Sequence, residues 1–165
     1  MADDMRAELT RMLDQYDERR RAELAREKKG RDDDAQFLAS FAELRREVVR
    51  PVLEQAGALL AQRGHGFSIV EEEFAADAAG KVREARISFH IVPAGMATPL
   101  HQGTHEHSFS LTTRHYNKTV WISAGKAMDA GGVAGSKGAH ALARVDRPLI
   151  EAELVKFVGA VMAPA

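Results

Sequence analysis

The sequence predicts an α+β protein with two N-terminal helices, an antiparallel meander of about five strands and a C-terminal helix. Apolar residues recur at helical spacing up to residue 63, and from residue 66 they alternate with polar residues as in strands. Strands grouped between helices, without alternating strand–helix units, favour α+β over a doubly wound sheet. A chain of 165 residues can form one domain, 1–165, with its own core.

The first helix is expected over residues 1–30, where charges surround most of its surface, so we expect it to project from the domain. Gly30, after two lysines, resembles a helix end. Four apolar residues at spacings of four, three and four form a seam over two heptads. The seam consists of Met5, Leu9, Met12 and Tyr16. It favours pairing with a second subunit, so a homo-oligomer, most simply a homodimer, is expected.

A second helix is expected over residues 34–63, after the acidic run Asp32–Asp34, which suits a helix N-terminus. Pro51 removes a backbone donor within this helix, so we expect a kink near residue 50. The C-terminal helix is expected over residues 148–162, because Pro148 follows an aspartate that can cap its first turn.

The antiparallel sheet is expected over residues 66–145. Glu71 and Glu73 fall on one face of the first strand, and a solvated edge that discourages strand addition accounts for them. The glycine-rich residues 129–138 are interpreted as a loop before a last strand over residues 139–145.

Two strands, residues 104–115 and 119–125, are expected to form a hairpin with a two-residue turn at Asn117-Lys118. In that register Arg114 faces Trp121, the single tryptophan of the chain, and forms a cation–π pair with it. An aromatic and arginine patch suits a ligand or a partner protein. The predicted binding residues are Arg114, Tyr116 and Trp121. We expect the N-terminal helices to cover this face, because single tryptophans are mostly buried.

A histidine cluster precedes and begins the same hairpin. His105 and His107 share a strand face, and His101 in the preceding loop can fold back towards them. Three imidazoles with an open position suit a divalent metal such as zinc. The competing interpretation, which we favour, is that His105 and His107 cap the polar end of a core-facing strand and that the protein holds no cofactor.

Composition excludes several classes of function. The formal net charge is −1, so no overall field favours nucleic acid, and no apolar run has the length of a membrane span. Cysteine is absent, which removes disulfides and thiolate chemistry. No complete catalytic set is present, so we expect a cytoplasmic protein-interaction or regulatory module rather than an enzyme, with an unknown protein partner. The alternative is a small-molecule-binding protein or metal-dependent enzyme that uses the histidine cluster.

Overall fold

The computed structural model of this protein describes residues 2–95, 107–125 and 135–163, without the side chains of residues 135–137. It confirms the α+β class: an N-terminal helical segment, a five-stranded antiparallel sheet and a C-terminal helix. The chain divides into two compact units, residues 1–36 and residues 37–165. The first unit is helical throughout its described residues, and the second contains the sheet and the core.

The N-terminal segment is one continuous helical run rather than the two helices predicted. Helix α1 spans Ala2–Leu44, a π-helical turn spans Arg45–Val49, and helix α2 spans Arg50–Gln62. Gly30 does not end a helix, because the good helix formers around it outweigh a glycine penalty of about 1 kcal/mol. A Cβ added at Gly30 would meet no atom within 4 Å, so no packing requirement explains this glycine.

The predicted disturbance at Pro51 takes the form of the π-helical turn that precedes α2. Pro51 lies in the first turn of α2, where its missing N–H removes the fewest backbone hydrogen bonds from that helix. The π turn changes the hydrogen-bond pattern over the five residues before α2, and helical geometry then resumes. No helix within the described ranges is long and apolar enough to cross a bilayer.

Within the described residues, seven strands follow the helical segment. They are β1 (Gly66–Glu72), β2 (Ala75–Ala76), β3 (Val82–Arg83), β4 (Arg86–Val92), β5 (His107–Arg114), β6 (Thr119–Gly125) and β7 (Gly135–Ala141). Five of them form an antiparallel sheet in the order β1-β4-β5-β6-β7, which confirms the predicted meander. The short strands β2 and β3 form a separate two-stranded ribbon in the connection between β1 and β4.

The end of the sheet differs from the prediction. Strand β7 begins at Gly135, inside the segment interpreted as a loop, and a 3₁₀ turn over Leu142–Arg144 replaces the end of the predicted strand. Gly138 has a φ of 97° where the register with β6 shifts, so this glycine permits a bulge that lets the strand continue. Helix α3 spans Arg147–Met162 and begins as predicted, with the Asp146 carboxylate accepting a hydrogen bond from the backbone.

The core lies on one face of the five-stranded sheet. Phe109 of β5 contacts Phe157 of α3, with ring centroids 5.8 Å apart. Gly57 of α2 lies so close to Phe67 of β1 that an added Cβ would be 2.4 Å from the ring. The fully buried side chains of this layer include Phe41, Val49, Leu53, Ile87, Phe89, Ile91, Leu111, Val120, Ile122 and Ile150. The helices α2 and α3 therefore cover the sheet face that carries these residues.

Candidate functional site

The other sheet face carries small hydroxyl side chains, two arginines and the tryptophan. We call it the open face, because neither α2 nor α3 covers it, although Ser88 within it is buried. Its residues align in rows across the strands, because strand neighbours in register point the same way. One row runs Arg86, Thr112 and Trp121. The next row runs Ser88, Ser110 and Ser123.

Arg114 stacks on Trp121 as the sequence predicts. The guanidinium carbon of Arg114 lies 3.5 Å from the centroid of the indole ring. Its Nη1 also donates a hydrogen bond to the Tyr116 hydroxyl at 3.2 Å. Arg114 therefore contacts both of the other residues predicted to bind a ligand or partner, and its guanidinium is held in place by them.

The predicted register of this hairpin is wrong by two residues. Arg114 pairs with Thr119, and Thr112 pairs with Trp121, so the connection is a four-residue loop rather than a two-residue turn. Lys118, not Asn117, adopts the positive φ, at 57°. A shift of two residues keeps every side chain on its predicted face, which is why Arg114 and Trp121 still meet across a diagonal.

Helix α2 does not pack on the sheet face where the sequence placed it. Trp121 lies on the open face and is half-buried, whereas its neighbour Val120 is fully buried beneath the helices. Trp121 is therefore not part of the core that α2 and α3 cover, whereas the prediction had required α2 to cover it. The apolar stripe Ile87, Phe89 and Ile91 of β4 decides the packing, since helices bury the more apolar face of a sheet.

Two of the donors on the open face have unusual surroundings. Arg86 donates from Nε and Nη2 to the hydroxyl of Ser88, at 3.2 and 3.0 Å. The indole Nε1 of Trp121 is buried without a hydrogen-bond partner among the described residues. Buried donors are normally paired, so this unpartnered N–H is an exception that calls for a reason.

The histidines predicted as metal ligands are only partly described. His101 and His105 lie outside the described residues. His107 is buried on the core face of β5, opposite Ile91 and on the same face as Phe109. Among the described residues, no three potential ligands come together as a metal site.

Glu84 and His115 form a hydrogen-bonded pair at the end of β5 that the sequence did not indicate. The Glu84 carboxylate accepts hydrogen bonds from the Thr113 hydroxyl at 3.0 Å and from the His115 backbone N–H at 3.2 Å. The ring Nδ1 of His115 lies 2.5 Å from Glu84 Oε1, and Phe74 packs edge-on against the imidazole. These contacts anchor the end of β5 to the segment before β4.

The acidic edge of β1 also has a partner that the sequence did not indicate. Arg45, in the π-helical turn, is buried and forms ion pairs with Glu71 and Glu73. Its Nη1 donates to the backbone carbonyl oxygens of Glu72 and Arg86. The two glutamates thus converge on one buried cation, and a solvated edge is only part of their role.

The seam of α1 forms a further candidate surface. The four seam side chains are between 48% and 63% exposed. Among the described residues up to Gln36, every side chain except that of Asp34 is exposed to solvent. The described residues of this unit therefore leave the seam exposed.

Comparisons with protein-family models, with curated proteins and with solved structures found no match for this chain. Any assignment of function must therefore come from its own residues.

Proposed function

We propose that the chain is a cytoplasmic protein-interaction module that forms a homodimer by pairing the seams of two N-terminal helices. The exposure of Met5, Leu9, Met12 and Tyr16 along one helix face carries the proposal. Contiguous exposed apolar side chains on a soluble protein commonly mark a contact surface. A dimer would remove this stripe from water.

Helix stability gives a second reason for a partner. Residues 2–36 bury no hydrophobic side chain, and a helix that lacks tertiary packing is marginal in water. Ion pairs such as Glu8–Arg11 and Arg20–Glu23 contribute only a few tenths of a kcal/mol each. Burial of the seam against another helix would supply the missing stabilisation.

The charges around the seam favour a second copy of this chain as the partner. Four residues flank the seam, and they carry one positive and one negative charge in total. They are Arg6, Glu8, Leu13 and Gln15. The other five acidic residues of this stretch lie more than about 90° from the centre of the seam by the 100° rotation per residue. They are Asp3, Asp4, Asp14, Asp17 and Glu18. Two copies can therefore pair around a two-fold axis without opposing like charges.

Sedimentation velocity over a range of protein concentrations tests the proposal, with Leu9→Glu as the disrupting variant. Leu24→Glu is the matched control, since Leu9 and Leu24 are 48% and 47% exposed but Leu24 lies beside the seam rather than in it. We expect the wild type and Leu24→Glu to sediment as dimers and Leu9→Glu as a monomer. A wild-type protein that stays monomeric at every concentration would contradict the proposal, as would equal disruption by both variants.

A further inference from the structure

We propose that the open face binds a small molecule through its phosphate monoester group, held between Arg86 and Arg114. This site is separate from the proposed dimer contact. It uses only residues of the unit that contains the sheet, residues 37–165, which we call the sheet unit. It rests on uncompensated positive charge, on the geometry of adjacent strands and on a guanidinium that is already held in place.

The partners of these two arginines differ from those of three other arginines in the same unit. Arg45, Arg50 and Arg147 each form an ion pair with a glutamate. Within the described part of the chain, Arg86 and Arg114 contact only neutral groups: the Ser88 hydroxyl for the first, the Tyr116 hydroxyl and the indole for the second. Both therefore keep positive charge that no carboxylate neutralises.

Glu72, the acid that pairs with Arg86 in the strand register, does not neutralise these two charges. Glu72 of the edge strand β1 lies opposite Arg86, yet it forms no ion pair with Arg86 among the described residues. It is also the single acid at the registered positions of the open face, against two arginines. The face is therefore net positive and rich in donors, and its complement is a group that only accepts hydrogen bonds.

The strand register places Arg86 and Arg114 on adjacent strands of the same sheet face. Arg86 pairs with Thr112, and Arg114 follows two residues later on the same strand as Thr112. Such diagonal neighbours are roughly 7–8 Å apart at Cα, well within the length of two arginine side chains. Thr112, which pairs with Arg86 and precedes Arg114 by two residues, adds a hydroxyl to the same face. Because the indole and Tyr116 already hold Arg114, binding orders less of its side chain.

A phosphate monoester fits this arrangement better than a carboxylate. Its charge of about −2 matches two arginines, and its three terminal oxygens can accept from both guanidinium groups and from a hydroxyl. A carboxylate has one charge and two oxygens, which a single arginine can satisfy. Trp121, whose buried indole N–H has no partner among the described residues, lies in the same row as Arg86 and Thr112.

Isothermal titration calorimetry in phosphate-free buffer at low ionic strength tests the inference with two probes, phenyl phosphate and benzoate. The probes share a ring and differ in the anionic group. We expect one phenyl phosphate to bind per sheet unit, with benzoate at least about tenfold weaker. Arg86→Gln and Arg114→Gln should each weaken phenyl phosphate by at least about tenfold, as expected for loss of a charge-assisted hydrogen bond. Arg63→Gln is the control, because Arg63 is an exposed arginine at the end of α2.

Three results would overturn the inference: no heat of binding with the wild type, equal affinity for benzoate, or equal weakening by Arg63→Gln. Thermal melting of each variant shows whether it folds. If Arg114→Gln does not fold, Arg114→Lys replaces it, since lysine keeps the charge but loses the planar fork. Arg114→Lys should also weaken binding, and wild-type affinity in both Arg86→Gln and Arg114→Lys would contradict the site.

Discussion

His115 and Glu84 lie 31 positions apart in the chain, yet the imidazole Nδ1 and the carboxylate Oε1 are 2.5 Å apart. The same carboxylate accepts from the His115 backbone N–H and from the Thr113 hydroxyl. Each of the two side chains is at most 23% exposed, so water competes weakly for these hydrogen bonds. One glutamate thereby holds the β5 end of the hairpin loop.

Glu84→Ala is expected to lower the free energy of unfolding by about 2–3 kcal/mol. The substitution leaves several half-buried donors without their charged acceptor, and such losses are in that range. Glu43→Ala, at an exposed position of α1, is the control and should change stability by less than about 0.5 kcal/mol. Urea unfolding of both variants measures the difference. Equal stability of the two would show that the Glu84 contacts do not hold in solution.

Arg45→Ala is expected to destabilise the protein by about 3 kcal/mol, because removing one partner of a buried ion pair leaves uncompensated charge. The side chain of Arg45 is 8% exposed and also packs over the Phe41 ring. The neighbouring Arg46 is 73% exposed and pairs only with Glu47, so Arg46→Ala should have little effect. Denaturant midpoints of the two variants provide the comparison, and similar midpoints would argue against a structural role for Arg45.

Trp121→Ala is expected to cost about 1–2 kcal/mol, less than Phe109→Ala. Phe109 is fully buried under α3, and truncation of a buried phenylalanine typically costs about 3–5 kcal/mol. Trp121 is half-buried on the face that α2 and α3 do not cover, so its loss opens no cavity in the core. Calorimetric unfolding of both variants tests this order. A larger loss for Trp121→Ala would mean that the open face is covered in solution.

Protein purified without a histidine tag is expected to contain no stoichiometric metal. His107 is buried on the core face beside Phe109, as the non-metal interpretation of the cluster requires. The double variant His105→Ala, His107→Ala should therefore change stability only modestly. Elemental analysis near neutral pH measures the metal content. About one zinc per chain, lost in the double variant, would instead support the metal site.

The sequence predicted the sheet face of each side chain better than the pairing register of the strands. Alternation along β5 and β6 assigns Arg114 and Trp121 to one side whether the hairpin loop has two residues or four, because side chains repeat every second residue. The loop length depends instead on which residue adopts the positive φ. Asparagine is the usual choice, yet Lys118 takes this conformation, and no local signal indicated it.

Contacts between distant segments could not be predicted from the sequence. Arg45 lies 26 positions before Glu71, and neither residue type nor spacing indicates that a helix turn meets the edge strand. The helix end expected at Gly30 failed for a related reason. Local stop signals are weak, and a chain with good helix formers on both sides continues through them.

The strand order β1-β4-β5-β6-β7 has a consequence for how the sheet assembles. The five strands of the sheet pair in the order in which they occur in the sequence. Each strand can therefore pair with one that precedes it in the sheet by closing a single loop. Closing a loop as short as the one between Arg114 and Thr119 loses little chain entropy. Local closure of this kind favours rapid folding, with few competing partners for any strand. The meander can therefore grow hairpin by hairpin from its centre outwards.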